Sequence, residues 1–216
     1  MRRSEEGGQT RGVQREVSLK RSMAAFFDVL GAAWRRVSSR IDPATRRTLA
    51  MTAAWLILVN LFALIAFNRL NLAPDTAFEW MSDGTVRPVQ QNWNVIDLHN
   101  RWDAYWYLTI AEEGYYLRGE NSLSNVVFFP LYPLLVRTLA PAAGGNLVLA
   151  GWIVSSVFLM LAVGVLTRLA REFHPEIDPV LPTIFLLAYP AAFFLNAVYS
   201  ESLFLFLSLS MVLLAL

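Results

Sequence analysis

The chain has 216 residues, 56% of them hydrophobic and only 16% charged, with a formal net charge of +1. Soluble domains run at about 45–50% apolar and about 25% charged residues. This composition, with a mean hydropathy of +0.42, therefore excludes an ordinary soluble fold and points to an integral membrane protein. With 0 Cys, disulfide scaffolds and zinc–thiolate sites are excluded, while 7 Trp, 7 Tyr and 14 Phe supply the aromatic excess that membrane interfaces favour.

In chain order, residues 1–18 are polar and rich in charge and Gly, and read as a disordered tail. Met23, Phe26, Phe27, Leu30, Trp34, Val37 and Ile41 then recur at helical spacing beside Arg35, Arg36 and Arg40. That pattern predicts a basic amphipathic helix lying on the inner leaflet. Glu5, Glu6, Glu16 and Asp28 argue against the alternative, an organelle-targeting peptide. Residues 1–47 thus read as a cytoplasmic basic tail, ahead of a membrane domain over 48–216.

Charge-free runs mark the spans. Residues 48–68, between Arg47 and Arg69, match the roughly 20 residues a helix needs to cross a bilayer. After Pro141-Ala142-Ala143-Gly144-Gly145, a second span is expected over 147–167, and a third over 179–198 between Asp178 and Glu201. A fourth begins at Ser202 and is still apolar at Leu216. At 1.5 Å per residue it is roughly 22 Å long, short of the roughly 30 Å hydrocarbon core. The expected picture is the N-terminal portion of a longer membrane domain. Residues 126–139 (VVFFPLYPLLVRTL) are apolar but short, and Pro130 and Pro133 suit an interfacial or re-entrant element better than a crossing.

Sidedness follows from the basic residues. Eleven of the 18 Lys and Arg lie in residues 1–47, which places the N-terminus in the cytoplasm. The loop over 69–146 then faces outside, Arg168 and Arg171 return to the inside, and Tyr199-Ser200-Glu201 emerges outside again.

The long outer loop is where chemistry is expected. Within it, Trp102, Tyr105, Trp106 and Thr109 fall on one helical stripe, with Gly114 as a natural stop, so a short interfacial helix is predicted here. Asp103 and Tyr107 would lie on a neighbouring face. Two readings of Asp103 stay open on spacing alone: a helix N-cap, or a carboxylate turned to a cavity for acid–base work. Glu112 and Glu113 read as the solvated end of that helix. Glu201 stands alone between two apolar runs, and ionisable residues near membrane depth are costly and usually functional or paired.

Three blocks add a resemblance. Arg101-Trp102-Asp103 with Ile110-Ala111-Glu112-Glu113-Gly114-Tyr115 comes first, and Phe128-Phe129-Pro130-Leu131-Tyr132-Pro133-Leu134-Leu135-Val136-Arg137 follows. The third is Tyr189-Pro190-Ala191-Ala192-Phe193-Phe194 with Tyr199-Ser200-Glu201-Ser202-Leu203-Phe204. In this order they resemble the PIG-V mannosyltransferase family over about residues 90–216. The resemblance implies an all-α, polytopic glycosyltransferase of GT-C type, working on the non-cytoplasmic face with a polyprenyl-phosphate mannose donor and a glycolipid or glycan acceptor.

On that reading Asp103 is the general base. Arg101 and Arg137 are candidates to stabilise the leaving phosphate, since an Arg fork suits phosphate better than a Lys point charge, although both also read as interface anchors. Trp102 and Tyr105, with Trp106, could stack on sugar or line a prenyl groove, and Glu201 could bind acceptor hydroxyls. No cofactor is expected. Asp103, His99 and Glu201 have donor types open to a divalent metal, but no metal is predicted. One Lys against many Arg, with abundant Ala, points to a bacterial plasma membrane; a eukaryotic member would sit in the endoplasmic reticulum. The competing readings are a non-catalytic membrane partner or inactive remnant, and a transporter subunit. Clean spans and the absence of an internal repeat speak against the transporter. No nucleic-acid motif is present.

Overall fold

A computed structural model of the chain describes residues 41–69, 78–80, 86–88, 96–117 and 124–216, so the tail and the amphipathic helix expected from Met23 lie outside the described residues. The unit that carries the site runs from Arg47 to Leu216. Its described secondary structure is helical apart from an antiparallel ribbon, β1 (Phe78–Trp80) and β2 (Val86–Pro88), which sets Glu79 opposite Arg87. The described α-helices are α1 (Pro43–Arg69), α2 (Ala104–Glu113), α3 (Leu131–Leu139), α4 (Leu147–Phe173), α5 (Val180–Ala188) and α6 (Glu201–Leu214).

Two helices, over Pro43–Ala66 and Leu147–Phe173, are long and apolar enough to cross a membrane. The start of α1 is capped by Asp42, whose Oδ1 accepts the backbone N–H groups of Ala44 and Thr45 at 3.0 and 3.1 Å. The start of α4 is capped by Asn146, which accepts the N–H of Leu149 at 2.9 Å. Before it, Gly144 and Gly145 adopt φ of 67° and 83°, the left-handed backbone that reverses the chain. α4 continues to Phe173 rather than ending at Thr167, because Arg168-Leu169-Ala170-Arg171-Glu172 are all strong helix formers and the stop comes only at His174-Pro175.

α1 and α4 run antiparallel at their point of contact. Thr48 near the start of α1 meets Thr167 near the end of α4, hydroxyl to hydroxyl at 2.8 Å and fully buried. At the same end Arg47 pairs with Asp178 at 3.2 Å. Past Thr52, one side of α1 is open: Ile57, Leu58, Leu61 and Phe62 are exposed.

The expected third span takes another form. α5 stops at Ala188 after 9 residues, a rise of roughly 14 Å and less than half the hydrocarbon core. Pro190 removes a helical donor and biases the preceding residue to extended backbone. Tyr189 accordingly sits at φ −62°, ψ 134°. The chain then passes through a 3-10 turn (Ala192–Asn196) into α6. In the Pro-rich segment only Leu131–Leu139 is helical, and Pro133 falls in the first turn of α3, where its missing donor has no helical partner to lose.

The core joins α2, α3, α4 and the approach to α6: Ala104, Tyr107, Leu108 and Ala111 pack with Tyr132 and Val136, Ala150 and Val154, and Val198, Tyr199 and Leu203. Tyr132 is its polar pin. Its hydroxyl donates to the Gly151 carbonyl at 3.0 Å and lies 2.8 Å from Ser155 Oγ, which itself donates to the Tyr199 carbonyl at 3.2 Å. Gly151 makes the approach possible, since a Cβ there would stand 2.7 Å from Val198 Cγ1.

Candidate functional site

The outer loop reaches this core through His99, the last residue of a short 3-10 turn (Asp97–His99). Its ring is buried and stacks on Trp152 of α4, with centroids 4.5 Å apart. Trp152 Nε1 in turn donates to Asn196 Oδ1 at 2.9 Å, and the His99 carbonyl accepts the N–H of Val198 at 3.4 Å. Burial lowers the His99 pKa to about 4 against the opposing pull of a hydrogen bond to the Asn196 backbone, so the ring is neutral. Its Nε2 is buried without a hydrogen-bond partner.

Beyond His99 the chain turns sharply. Trp102 has φ of +48°, a left-handed conformation that a bulky residue adopts only when its surroundings impose it. The Asp103 N–H then donates to the hydroxyl of Tyr199 at 2.9 Å, and that hydroxyl donates to the Arg101 carbonyl at 3.3 Å. Asp103 occupies the N-cap position of α2 but with helical dihedrals, φ −71° and ψ −8°, and its carboxylate makes no capping hydrogen bond. The side chain is exposed instead.

The single aromatic stripe expected on this helix does not form. Trp102 precedes α2 and lies exposed against Phe193 and Phe194, at 6.0 and 5.7 Å. Thr109 is buried, and the inward face is Ala104, Tyr107, Leu108 and Ala111, a helical i, i+3, i+4, i+7 set. Tyr105 meets Trp106 edge to face at 5.3 Å, and Trp106 stacks on Phe128 at 6.1 Å.

Glu201 opens α6, where a carboxylate complements the positive helix end. It stands at the edge of an apolar cavity of about 460 Å³ lined also by Phe185, Tyr189, Phe194, Phe204 and Leu205. Removal from water pushes the Glu201 carboxyl up; its own backbone N–H opposes this, and the charge of Asp103 adds to the push. The two carboxylates are therefore close enough to feel each other across 98 residues of sequence. Between them stand hydroxyls: Tyr107 and Ser200 lie 2.9 Å apart, oxygen to oxygen. Burial raises the Tyr107 pKa and pushes Tyr199 up to about 12, so both phenols keep their protons at neutral pH.

Of the residues singled out from sequence, Arg101, Trp102, Asp103 and Glu201 are thus brought to one end of α4, with Tyr105 one turn further along α2. Arg137 is exposed in the last turn of α3, past the pinned Tyr132. Among the described residues no group of three His, Cys, Asp or Glu side chains forms a metal site. His99 turns away from that role, into its stack. Sequence reasoning placed Tyr107, Tyr199 and Ser200 but gave them no role; Tyr199 and Ser200 lie inside a family block, but nothing in their spacing tells which groups they meet.

A helical membrane protein with one carboxylate, Glu201, lining an apolar cavity and a second, exposed, whose charge reaches it is the class these features define. The family model for mannosyltransferase (PIG-V) matches residues 47–215, and the chain belongs to that family. It is also 29% identical over 191 residues to mouse GPI alpha-1,6-mannosyltransferase 2, a match covering 79% of this chain and 36% of that protein. The chain thus spans little more than a third of the length of that curated relative. No solved structure matches it.

Proposed function

We propose that this chain carries part of the active face of a membrane mannosyltransferase that uses a polyprenyl-phosphate mannose donor and a glycolipid or glycan acceptor on the non-cytoplasmic side. The observation that carries the reading is the convergence of Asp103, uncapped and exposed, with Glu201 at the apolar cavity. An acceptor hydroxyl attacks the anomeric carbon of the donor. The bond from that carbon to the phosphate oxygen breaks, its electron pair leaves with the lipid phosphate, and the hydroxyl proton passes to the Asp103 carboxylate. This displacement inverts the anomeric centre. Arg101 beside the base, and Arg137 further off, balance the charge on the departing phosphate. Trp102 and Tyr105 offer ring faces to sugar or prenyl chain, and Glu201 accepts from acceptor hydroxyls. The GPI precursor named for the mouse relative is one acceptor to try.

Sidedness supports the reading. Positive-inside counting puts residues 1–47 and Arg168 in the cytoplasm, and the Thr48–Thr167 clasp joins those same ends of α1 and α4. Asp103 and Glu201 gather near the opposite, N-terminal end of α4.

The test supplies radiolabelled polyprenyl-phosphate mannose to membranes containing the full gene product and compares wild type with Asp103→Asn at equal insertion. Transfer should fall by about 10²–10⁴-fold, the usual contribution of a positioned base. Equal transfer removes Asp103 from the chemistry. No transfer by wild type to any of several acceptors favours a non-catalytic partner or remnant.

A further inference from the structure

We propose that Tyr199 is the positioning residue of the site: its single hydroxyl folds the Arg101–Asp103 turn into the shape that presents the Asp103 carboxylate. The inference rests on the reading of Asp103 as general base, and it adds a group from the far block of the chain. Three observations support it. First, the phenol oxygen makes two backbone contacts on either side of one residue, accepting from Asp103 N–H at 2.9 Å and donating to the Arg101 carbonyl at 3.3 Å. Second, the residue between those contacts is Trp102, at φ +48°. A non-glycine side chain occupies that backbone region only where other bonds over-determine it, and the Tyr199 hydroxyl does so together with the Ala104 N–H, which donates to the same Arg101 carbonyl at 3.1 Å.

Third, Tyr199 is itself anchored independently of the turn. Its ring packs against Phe194 at 5.1 Å and Tyr107 at 6.1 Å, and its carbonyl accepts from Ser155 on α4. A hydroxyl on so fixed a ring meets the loop at one defined height above α4. Because Asp103 has helical dihedrals rather than the extended backbone of a capping residue, its side chain does not reach back to cap α2. A carboxylate spent on capping would be a poorer base in a poorer place, since proton transfer needs the acceptor within hydrogen-bond reach of the attacking hydroxyl.

Tyr199→Phe removes both contacts and leaves the aromatic packing. Two measurements are made on the full gene product in detergent or membranes. The first is amide hydrogen exchange, which should quicken at Asp103 while the inner amides of α2, from Leu108 to Ala111, exchange as in wild type. The second is mannose transfer. We expect kcat to fall about tenfold to a hundredfold with donor KM within twofold, and the same substitution placed on Asp103→Asn to cause no further loss. Unchanged exchange at Asp103 overturns the proposal whatever the activity does. A loss that persists on Asp103→Asn overturns it too, since Tyr199 would then act elsewhere. If wild type transfers no mannose, the general-base reading fails by itself, and the exchange result alone decides whether Tyr199 holds the turn.

Discussion

α1 and α4 have the same length, 27 residues each, and their most apolar stretches have the same mean hydropathy, 2.3. Yet 6% of that stretch is buried inside the protein in α1 and 39% in α4. Hydropathy tells a helix that it belongs in lipid; it does not tell it which protein neighbour to take. Lipid tails are as apolar as Leu, so helices associate in membranes through small residues and buried polar contacts. α4 supplies both along its length, with Ala150, Gly151, Ser155 and Ala162 buried on one face and Trp152 reaching Asn196. α1 has the buried pair Thr48 and Thr52 near its start, then Ile57, Leu58, Leu61 and Phe62 facing outward. The crowded helix is the one the site is built on.

The largest effect should come from filling the contact that distinguishes α4. Gly151→Val places branched carbon where a Cβ alone would meet Val198 Cγ1 at 2.7 Å, and should lower stability by about 3 kcal/mol through overpacking against the buried Val198 and Tyr132 side chains. Gly164→Val on the same helix, with nothing within 4 Å of its Cβ position, sets the baseline and should cost under about 1 kcal/mol. Thermal unfolding in detergent measures both, and equal losses would dissolve the contrast between the two faces of α4.

A smaller effect is expected from pH at the His99–Trp152 stack. The folded His99 pKa, about 4, lies below its usual 6.5. Between those values the unfolded chain binds more protons than the folded one, so stability present above pH 6.5 is lost progressively toward pH 4, at most about 3 kcal/mol. His99→Phe keeps a ring on Trp152 and should flatten that part of the stability–pH curve. A slope that survives the substitution assigns the acid sensitivity to another group.

The smallest effect should be on α1. Phe62 is 67% exposed. Phe62→Ala should change stability by no more than about 0.5 kcal/mol, read from the same unfolding curves. A loss above 2 kcal/mol would mean that this face packs against protein, and that α1 and α4 differ less than their burial implies.

Much of the architecture was legible because it depends on local quantities. The charge gap between Arg47 and Arg69 and the one that precedes Arg168 mark two long helices, and Asn146 after two glycines marks where the second begins. Glu201 could be singled out because a carboxylate between apolar runs is expensive, and Asp103 because it falls in a motif of the family the chain resembles. What was not legible is non-local. Pro190 marks locally where the helix over 180–188 ends, but not that the turn after it lines the cavity. Trp102 fits a helical stripe by spacing, yet its backbone turns left-handed before α2 starts, where the residues on both sides of it meet the Tyr199 hydroxyl.

The sequence by itself determined that this is a helical membrane protein and which family it resembles, since hydropathy, charge spacing and motif order are properties of the chain alone. Only the tertiary structure decided that Asp103 is uncapped, that its charge reaches Glu201, and that its N–H meets a tyrosine hydroxyl 96 residues away. Those outcomes rest on which surfaces come within about 3 Å of one another. Close approach is granted by a glycine on α4 and a pin at Tyr132, residues whose effect exists only once the helices have met.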